Sequence, residues 1–385
     1  MLRRRSGSVL VALLASLIVL VAACSSAPDE GFYATPSPLP AGAPGTLVRV
    51  ESMAAAFPET LAWRVLYTST GVTDEPVVVS GMVFAPTGPA PVGGRVVVSW
   101  AHPTTGITDP CAPSRSSDPY GDVQGLQEFL AKGWVVVATD YQGLGTDGPH
   151  PYLVGSSEAH GVIDIVRAAA SIGDAHASNR YFVFGHSQGG QAVLFAGQLQ
   201  PTYGNGLTLL GVAAAAPAGL LVPLFDADRD TFAGAGLGSF AVESWHEVFG
   251  YDIAQVIHRL LIGRVHAVAD KCVVGGSKLS DAELAANALV LKGRMWRANP
   301  AAVDPWKGQF LINTAGQQGI GAPVLVTQGT ADKIIVPATT TQLVATYRTL
   351  GTNATEQVMP GVDHMKAGKA SVPYVVPFFS ALAAG

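Results

Sequence analysis

The hydrophobic pattern of the chain changes period repeatedly. Short runs rich in β-branched and aromatic residues alternate with longer stretches whose apolar positions fall at helical spacing. Ala62–Ser69 and Pro76–Ala85 read as an antiparallel strand pair, split by a turn at Gly71. Arg95–Trp100 and Trp134–Thr139 read as buried strands, with a helix over Gly121–Lys132 between them that ends at Gly133. Ser156–Ile172 predicts a helix that opens on serines with Glu158 in its first turn. A strand over Arg180–Gly185, a helix over Gln188–Gln200 and a strand over Leu209–Ala216 follow. Ala322–Gln328 and Ala354–Met359 are two further strands, with a helix over Pro337–Leu350 between them. A last helix is expected within Ala367–Ala384, its early part broken by Pro373 and Pro377.

Strands alternating with helices imply an α/β architecture, a mostly parallel sheet with helices on both faces. One stretch departs from the rhythm. From Ala218 to about Gly319 there is no convincing strand, only apolar helical patches near Phe240–Phe249, Ile253–Val268 and Ala282–Trp296. It leaves after one strand and returns before the next, at the carboxyl edge of the sheet, where open α/β sheets bind ligands. The expected organisation is a core over 46–217 and 320–385, with an inserted helical cap over 218–319.

The candidate chemistry lies at that edge. Ser187 sits in Gly185-His186-Ser187-Gln188-Gly189, with a strand before it and a helix after it. This is the context a nucleophile elbow requires, and the glycines two residues away on either side leave room for the strained turn. The bare pattern is weak in a glycine-rich chain; the strand and the helix around it make it specific. A serine hydroxyl needs a base, and this fold supplies acid and histidine in the order Ser, Asp, His. Asp332 follows the strand Pro323–Gln328 and His364 follows Ala354–Met359, so both are expected on loops at the same edge. His364 would act as general base and Asp332 would orient it; Asp363 is the rival, but adjacent side chains rarely face each other productively. Oxyanion donors would be the Gln188 N–H and one from the loop after Arg95–Trp100, where Pro103 has no N–H and Thr104, Thr105 and Gly106 are candidates. His186 is expected to pack beside the nucleophile. No His/Cys group has zinc spacing and no glycine-rich phosphate loop follows the first strand, so neither metal nor cofactor is expected.

These features together resemble one family. Gly185-His186-Ser187-Gln188-Gly189-Gly190, Thr108-Asp109-Pro110-Cys111-Ala112-Pro113-Ser114, Asp140-Tyr141-Gln142-Gly143-Leu144-Gly145, Gly329–Asp332 and Asp363-His364 are similar to the motifs of secretory lipases of the fungal lipase A type. The resemblance covers about residues 46–385. It implies an α/β-hydrolase fold, a helical cap inserted after the sixth strand and hydrolysis of carboxylic esters. It places the second oxyanion donor at Thr105, where the fungal enzymes carry an acid; only the backbone N–H role transfers. It also implies a disulfide between Cys111 and the cap.

Composition and the chain ends add a location. Arg3, Arg4 and Arg5 precede an apolar run, Val9–Ala23, short for a membrane span of ~20 residues. The run ends in Val21-Ala22-Ala23-Cys24, which fits a lipoprotein signal over 1–23 with Cys24 lipidated and an exported, envelope-anchored protein. Residues 24–45, rich in Ser, Pro, Ala and Gly, read as a flexible tether. Beyond the signal, 20 basic residues face 28 acidic ones, a poor balance for nucleic acid. With Cys24 lipidated, Cys111 and Cys272 remain either as a pair or as two buried thiols; export favours the pair. The expected partners are an ester substrate and, through Cys24, the membrane. The same residues would serve an acyltransferase or a peptidase; a non-catalytic binding lipoprotein is disfavoured by the intact triad.

Overall fold

The computed structural model describes residues 30–273 and 278–384. The signal segment and Cys24 lie outside the described residues. Among the described residues nine strands form one sheet: β1 (Leu47–Met53), β2 (Thr60–Thr70), β3 (Pro76–Pro86), β4 (Arg95–Ala101), β5 (Val135–Thr139), β6 (Ala177–His186), β7 (Thr208–Ala215), β8 (Val324–Gly329) and β9 (Ala354–Met359). Their spatial order is β1-β2-β3-β5-β4-β6-β7-β8-β9. The pairs β1/β2, β2/β3 and β3/β5 are antiparallel and every later pair is parallel.

The period-2 alternation of the central strands sorts side chains to two faces. Tyr181 and Val183 of β6 join a core with Val162, Ile163 and Val166 of α3 (Gly155–Ala170) and Ala192 and Val193 of α4 (Gln188–Tyr203). Phe182 and Phe184 point the other way, to Phe129 of α2 (Leu126–Ala131) and Phe379 of α11 (His364–Ala383). Phe182 and Phe379 stack with centroids 4.2 Å apart. Burying such a ring is worth about 2–3 kcal/mol. That packing explains why α11 runs unbroken through Pro373 and Pro377, against the expected break. Val372, Val375 and Phe379, all buried, hold it on the sheet against a proline cost of ~3 kcal/mol.

Three further expectations are corrected. The helix expected over 121–132 is confined to α2, because Gly125 takes a left-handed φ of 80° and residues 121–124 turn. β1 went unread because Arg49 and Glu51 interrupt its apolar pattern; it is an edge strand with no fully buried residue. It makes β7, not the sixth strand, the one before the insertion. The expected tether is also docked where it is described. In α1 (Glu30–Tyr33) Phe32 and Tyr33 are buried against Leu66 and Val78. The Tyr33 hydroxyl bonds Ser114 Oγ at 2.9 Å, and Arg115 covers the Tyr33 ring and pairs with Glu30.

Between β7 and β8 run α5 (Leu221–Asp228), α6 (Phe232–Phe249), α7 (Ile262–Ala269), α8 (Lys278–Leu291) and α9 (Trp306–Ile312). They share a core of Phe240, Trp245, Met295, Trp306 and Phe310, which also takes in Tyr152 and Val154 from the loop before α3. Ser244 Oγ donates to the His150 carbonyl at 2.6 Å and Trp245 Nε1 to the Tyr152 carbonyl at 2.9 Å. Cys111 and Cys272 form a disulfide across a sequence separation of 161 residues. Closing a loop of that length is worth about 5 kcal/mol in chain entropy. Between β8 and β9 lies α10 (Pro337–Thr349).

Candidate active site

The nucleophile turn is built by two close backbone approaches. Ser187 has φ +57°, a left-handed value for a non-glycine residue, and its N–H donates to the Ala215 carbonyl at 2.9 Å. A Cβ on Gly185 would lie 2.1 Å from the Gly189 carbonyl oxygen; one on Gly189 would lie 1.9 Å from that of Ala101. Both are far inside contact distance, so only glycine lets β6 pass into α4 this tightly.

The loops after β8 and β9 converge on that turn. His364 Nε2 lies 2.9 Å from Ser187 Oγ, and its Nδ1 lies 2.8 Å from Asp332 Oδ2. Asp332 Oδ1 accepts from the N–H groups of Ile334 and Ile335, both at 2.9 Å, and Gln328 Nε2 reaches Oδ2 at 3.3 Å. With its carboxylate oriented this way, Asp332 fixes the ring with Nδ1 as donor and leaves Nε2 to accept the serine proton. All three side chains are buried. Asp363 turns away. It caps α11 by accepting from Lys366 N–H at 3.1 Å and pairs with the Lys366 ammonium, which holds its carboxyl below the usual range.

Gln188 is the first residue of α4, where backbone N–H groups have no partner within the helix. Thr104 and Thr105, after β4, line one cavity with Ser187 and His364. The Thr105 carbonyl accepts from Val273 N–H at 2.8 Å, beside the Cys111–Cys272 disulfide. Its hydroxyl is buried with no partner among the described residues. His186 is buried, its ring 4.9 Å from that of His364. Burial and His364 hold it down to about 3, so it is neutral. Asp140 is fully buried and accepts from Ser114 N–H at 2.9 Å and Ser80 Oγ at 2.6 Å, tying the segment after Cys111 to the sheet.

Two cavities meet at Ser187. One has walls of Leu221, Phe225, Leu237, Trp245, Trp306 and Phe310 from the insertion. The other carries His102, Thr104, Thr105, His186 and Lys369. Two carboxyls near this junction carry no signature in the sequence. Asp228, at the end of α5, lines the apolar cavity. Glu158 looks like an ordinary helix-start acid, yet it is 1% exposed and bonded to the Gln188 side chain at 2.8 Å. No local pattern distinguishes either from a surface acid. Among the described residues, no group of three His, Cys, Asp or Glu is arranged to hold a metal ion.

A mostly parallel sheet, a serine on a strained strand-to-helix turn and a His–Asp pair from the loops after the next two strands define an α/β-hydrolase fold. The family model of secretory lipases matches residues 121–247, in line with the motif resemblance. Lipase 7 of Candida albicans is 24% identical over 201 residues, 48% of this chain and 46% of that protein. The probable inactive lipase MT1628 of Mycobacterium tuberculosis is 26% identical over 208 residues, 50% and 46% of the two chains. The chain thus spans about half the length of these curated relatives. Lipase A of Candida antarctica in its closed state superposes with a TM-score of 0.78 at 16% identity, over 93% of this chain and 87% of that one, a likeness of fold.

Proposed function

We propose that this protein is a serine carboxylic-ester hydrolase, an esterase or lipase that works through an acyl-enzyme on Ser187. The observation that carries the reading is the continuous relay Ser187–His364–Asp332 at the junction of the two cavities. Ser187 Oγ attacks the ester carbonyl while His364 Nε2 takes its proton. The carbonyl oxygen becomes an anion that the N–H groups of Gln188 and Thr105 stabilise. The C–O bond to the alcohol breaks, and His364 returns the proton to the leaving oxygen. Water then attacks the acyl-enzyme, again giving its proton to His364, and the acid leaves as Ser187 recovers its hydrogen. Asp332 stays ionised and stabilises the imidazolium at both stages. The apolar cavity of the inserted helices supports their role as a cap that receives the acyl chain and sets its length preference.

The arginine-led apolar run ending at Cys24 supports export and anchoring by lipid on that cysteine. A fluorophosphonate probe tests the chemistry: the wild type is expected to label and Ser187→Ala is not. An unlabelled, folded wild type removes the enzyme reading. p-Nitrophenyl esters of graded length then separate the substrate classes, since activity that stops at butyryl leaves an esterase and not a lipase.

A further inference from the structure

The side chain of Gln188 is tied down through its amide nitrogen, while its Oε1 is buried with no partner among the described residues. One hydrogen of its amide reaches Glu158 Oε1 at 2.8 Å, and Nε2 also lies 3.2 Å from His150 Nε2. His150 Nδ1 is 2.8 Å from the Gln142 carbonyl, so Nδ1 carries the ring hydrogen and Nε2 accepts. Glu158 Oε1 accepts a second bond, from Leu153 N–H at 2.9 Å. Leu153 has a left-handed φ of +56° and lines the apolar cavity. A single carboxyl oxygen therefore ties the residue after the nucleophile to the cavity wall. Glu158 Oε2 is buried without a partner among the described residues.

We propose that Glu158 is a positioning residue of this site: as a neutral carboxylic acid it holds Gln188, and with it the first N–H of α4, against the oxygen that becomes charged in the reaction. The inference rests on the ester-hydrolase reading. Its physical basis is the set of groups around Glu158. His150 is neutral, held down to about 3 by burial, and His102 behind it is held down to about 4. The Tyr141 and Tyr152 hydroxyls are pushed up by burial and stay protonated. On α3 itself, burial lowers His160 and raises Asp164 to about 6. None of these groups is a cation at neutral pH, and Arg167, the cation of α3, is paired with Asp164, so an ionised Glu158 would be an uncompensated charge beside a developing anion. Burial pushes Glu158 up to about 8, with the bonds from Gln188 and Leu153 pulling the other way. It is therefore neutral at pH 7. Above pH 8 its charge opposes the oxyanion, and kcat falls.

The test is the pH profile of kcat on a p-nitrophenyl ester for wild type, Glu158→Gln and Glu158→Leu. Glu158→Gln keeps a neutral acceptor for Gln188; it is expected to hold kcat within about threefold at pH 7 and to lose the fall above pH 8. Glu158→Leu removes the acceptor and is expected to lower kcat by roughly 10–100-fold with KM nearly unchanged, since the oxyanion donor is displaced rather than lost. An alkaline fall that persists unchanged in Glu158→Gln overturns the proposal. So does a folded Glu158→Leu with wild-type kcat, and if that variant fails to fold, the Glu158→Gln profile decides. Fluorophosphonate labelling of the wild type keeps the two levels apart: a labelled enzyme with an unmoved profile sinks the role of Glu158 alone, while an unlabelled one sinks the reading beneath it.

Discussion

The sheet edge and the inserted helices meet at Ser187, but they are built to different tolerances. At the edge, main chain packs on main chain. A methyl on Gly189 would meet the Ala101 carbonyl oxygen at 1.9 Å, and the carboxylate of Asp332 is oriented by two backbone donors and Gln328. In the insertion the cavity is walled by apolar side chains such as Leu221, Phe225 and Trp306, although where α6 meets the end of α5 a methyl on Gly234 would still meet the Asp228 carbonyl oxygen at 1.9 Å. A methyl on Gly238 would meet the rim of the Trp296 ring at 2.8 Å and the end of Met295 at 3.9 Å, and one on Gly236 would meet nothing within 4 Å. Side chains yield through rotamers, whereas a paired backbone does not. Chemistry is therefore expected to fail abruptly on small changes at the edge, and selectivity to shift by degrees on larger ones in the insertion.

The most severe break of this contrast is Gly189→Ala. Its Cβ also meets the His102 carbonyl oxygen at 2.7 Å, so α4 and the end of β4 cannot both keep their places. Expected outcomes are loss of fluorophosphonate labelling and a marked fall in the melting temperature. Normal labelling would show that the elbow relaxes, and the edge would then be no stiffer than the insertion. Next comes Asp332→Asn, which should lower kcat by ~10²–10⁴-fold by forcing the wrong imidazole tautomer. Asp363→Asn is expected to stay within a few-fold of wild type, because Asp363 caps α11 and does not face the ring. If the two variants exchanged their effects, the orienting role would move to Asp363.

The same contrast explains what could be read in the chain before folding. Ser187, Asp332 and His364 were legible because each directly follows a strand, and strand ends are where this topology gathers its loops. The elbow glycines were legible because backbone collisions leave no other residue possible. Glu158 was not. Its burial comes from α4 and from the 150–153 loop, and nothing within four residues of it records either. The run through Pro373 and Pro377 was hidden for a similar reason, since local propensity argued for a break and the decisive partners, Phe182 and Phe184, lie far back in sequence. Phe32 and Tyr33 were lost inside a Ser/Pro/Ala-rich stretch, whose composition says nothing about two aromatic rings that find a groove beside Leu66 and Val78.

In the insertion, Leu237 lines both cavities next to Ser187. Leu237→Trp should fill part of the apolar one. Long-chain p-nitrophenyl esters are expected to lose roughly 10-fold in kcat/KM while acetyl esters change little, the range that a few methylenes in an apolar pocket supply. An equal loss on both esters would mean that the helix carrying Leu237 also sets the chemistry.

The smallest effect concerns the charge that the insertion does carry. Asp228 is half-buried in the apolar wall, and among the described residues it lacks the ring of donors that Asp332 has. Burial and the charge of Asp332 push its carboxyl up to about 6, with His364 pulling down. The sign of the stability effect follows. An unfolded aspartate ionises near pH 4, so between about 4 and 6 the folded state keeps a proton that the unfolded state has released, and rising pH favours unfolding through that window. Asp228→Asn removes this dependence. Its melting temperature should match the wild type at pH 4 and exceed it by about 2 °C at pH 7 to 8, a value kept small because solvent reaches half of the side chain. At the sheet edge the reverse holds, and Asp332→Asn should lower the melting temperature at neutral pH, since it breaks a satisfied network. Opposite signs for two aspartates that feel each other's charge would separate a carboxylate held for chemistry from one merely tolerated in a cavity wall. A destabilised Asp228→Asn at pH 8 would show that Asp228 is paired after all, and the difference between the two regions would shrink to one of geometry alone.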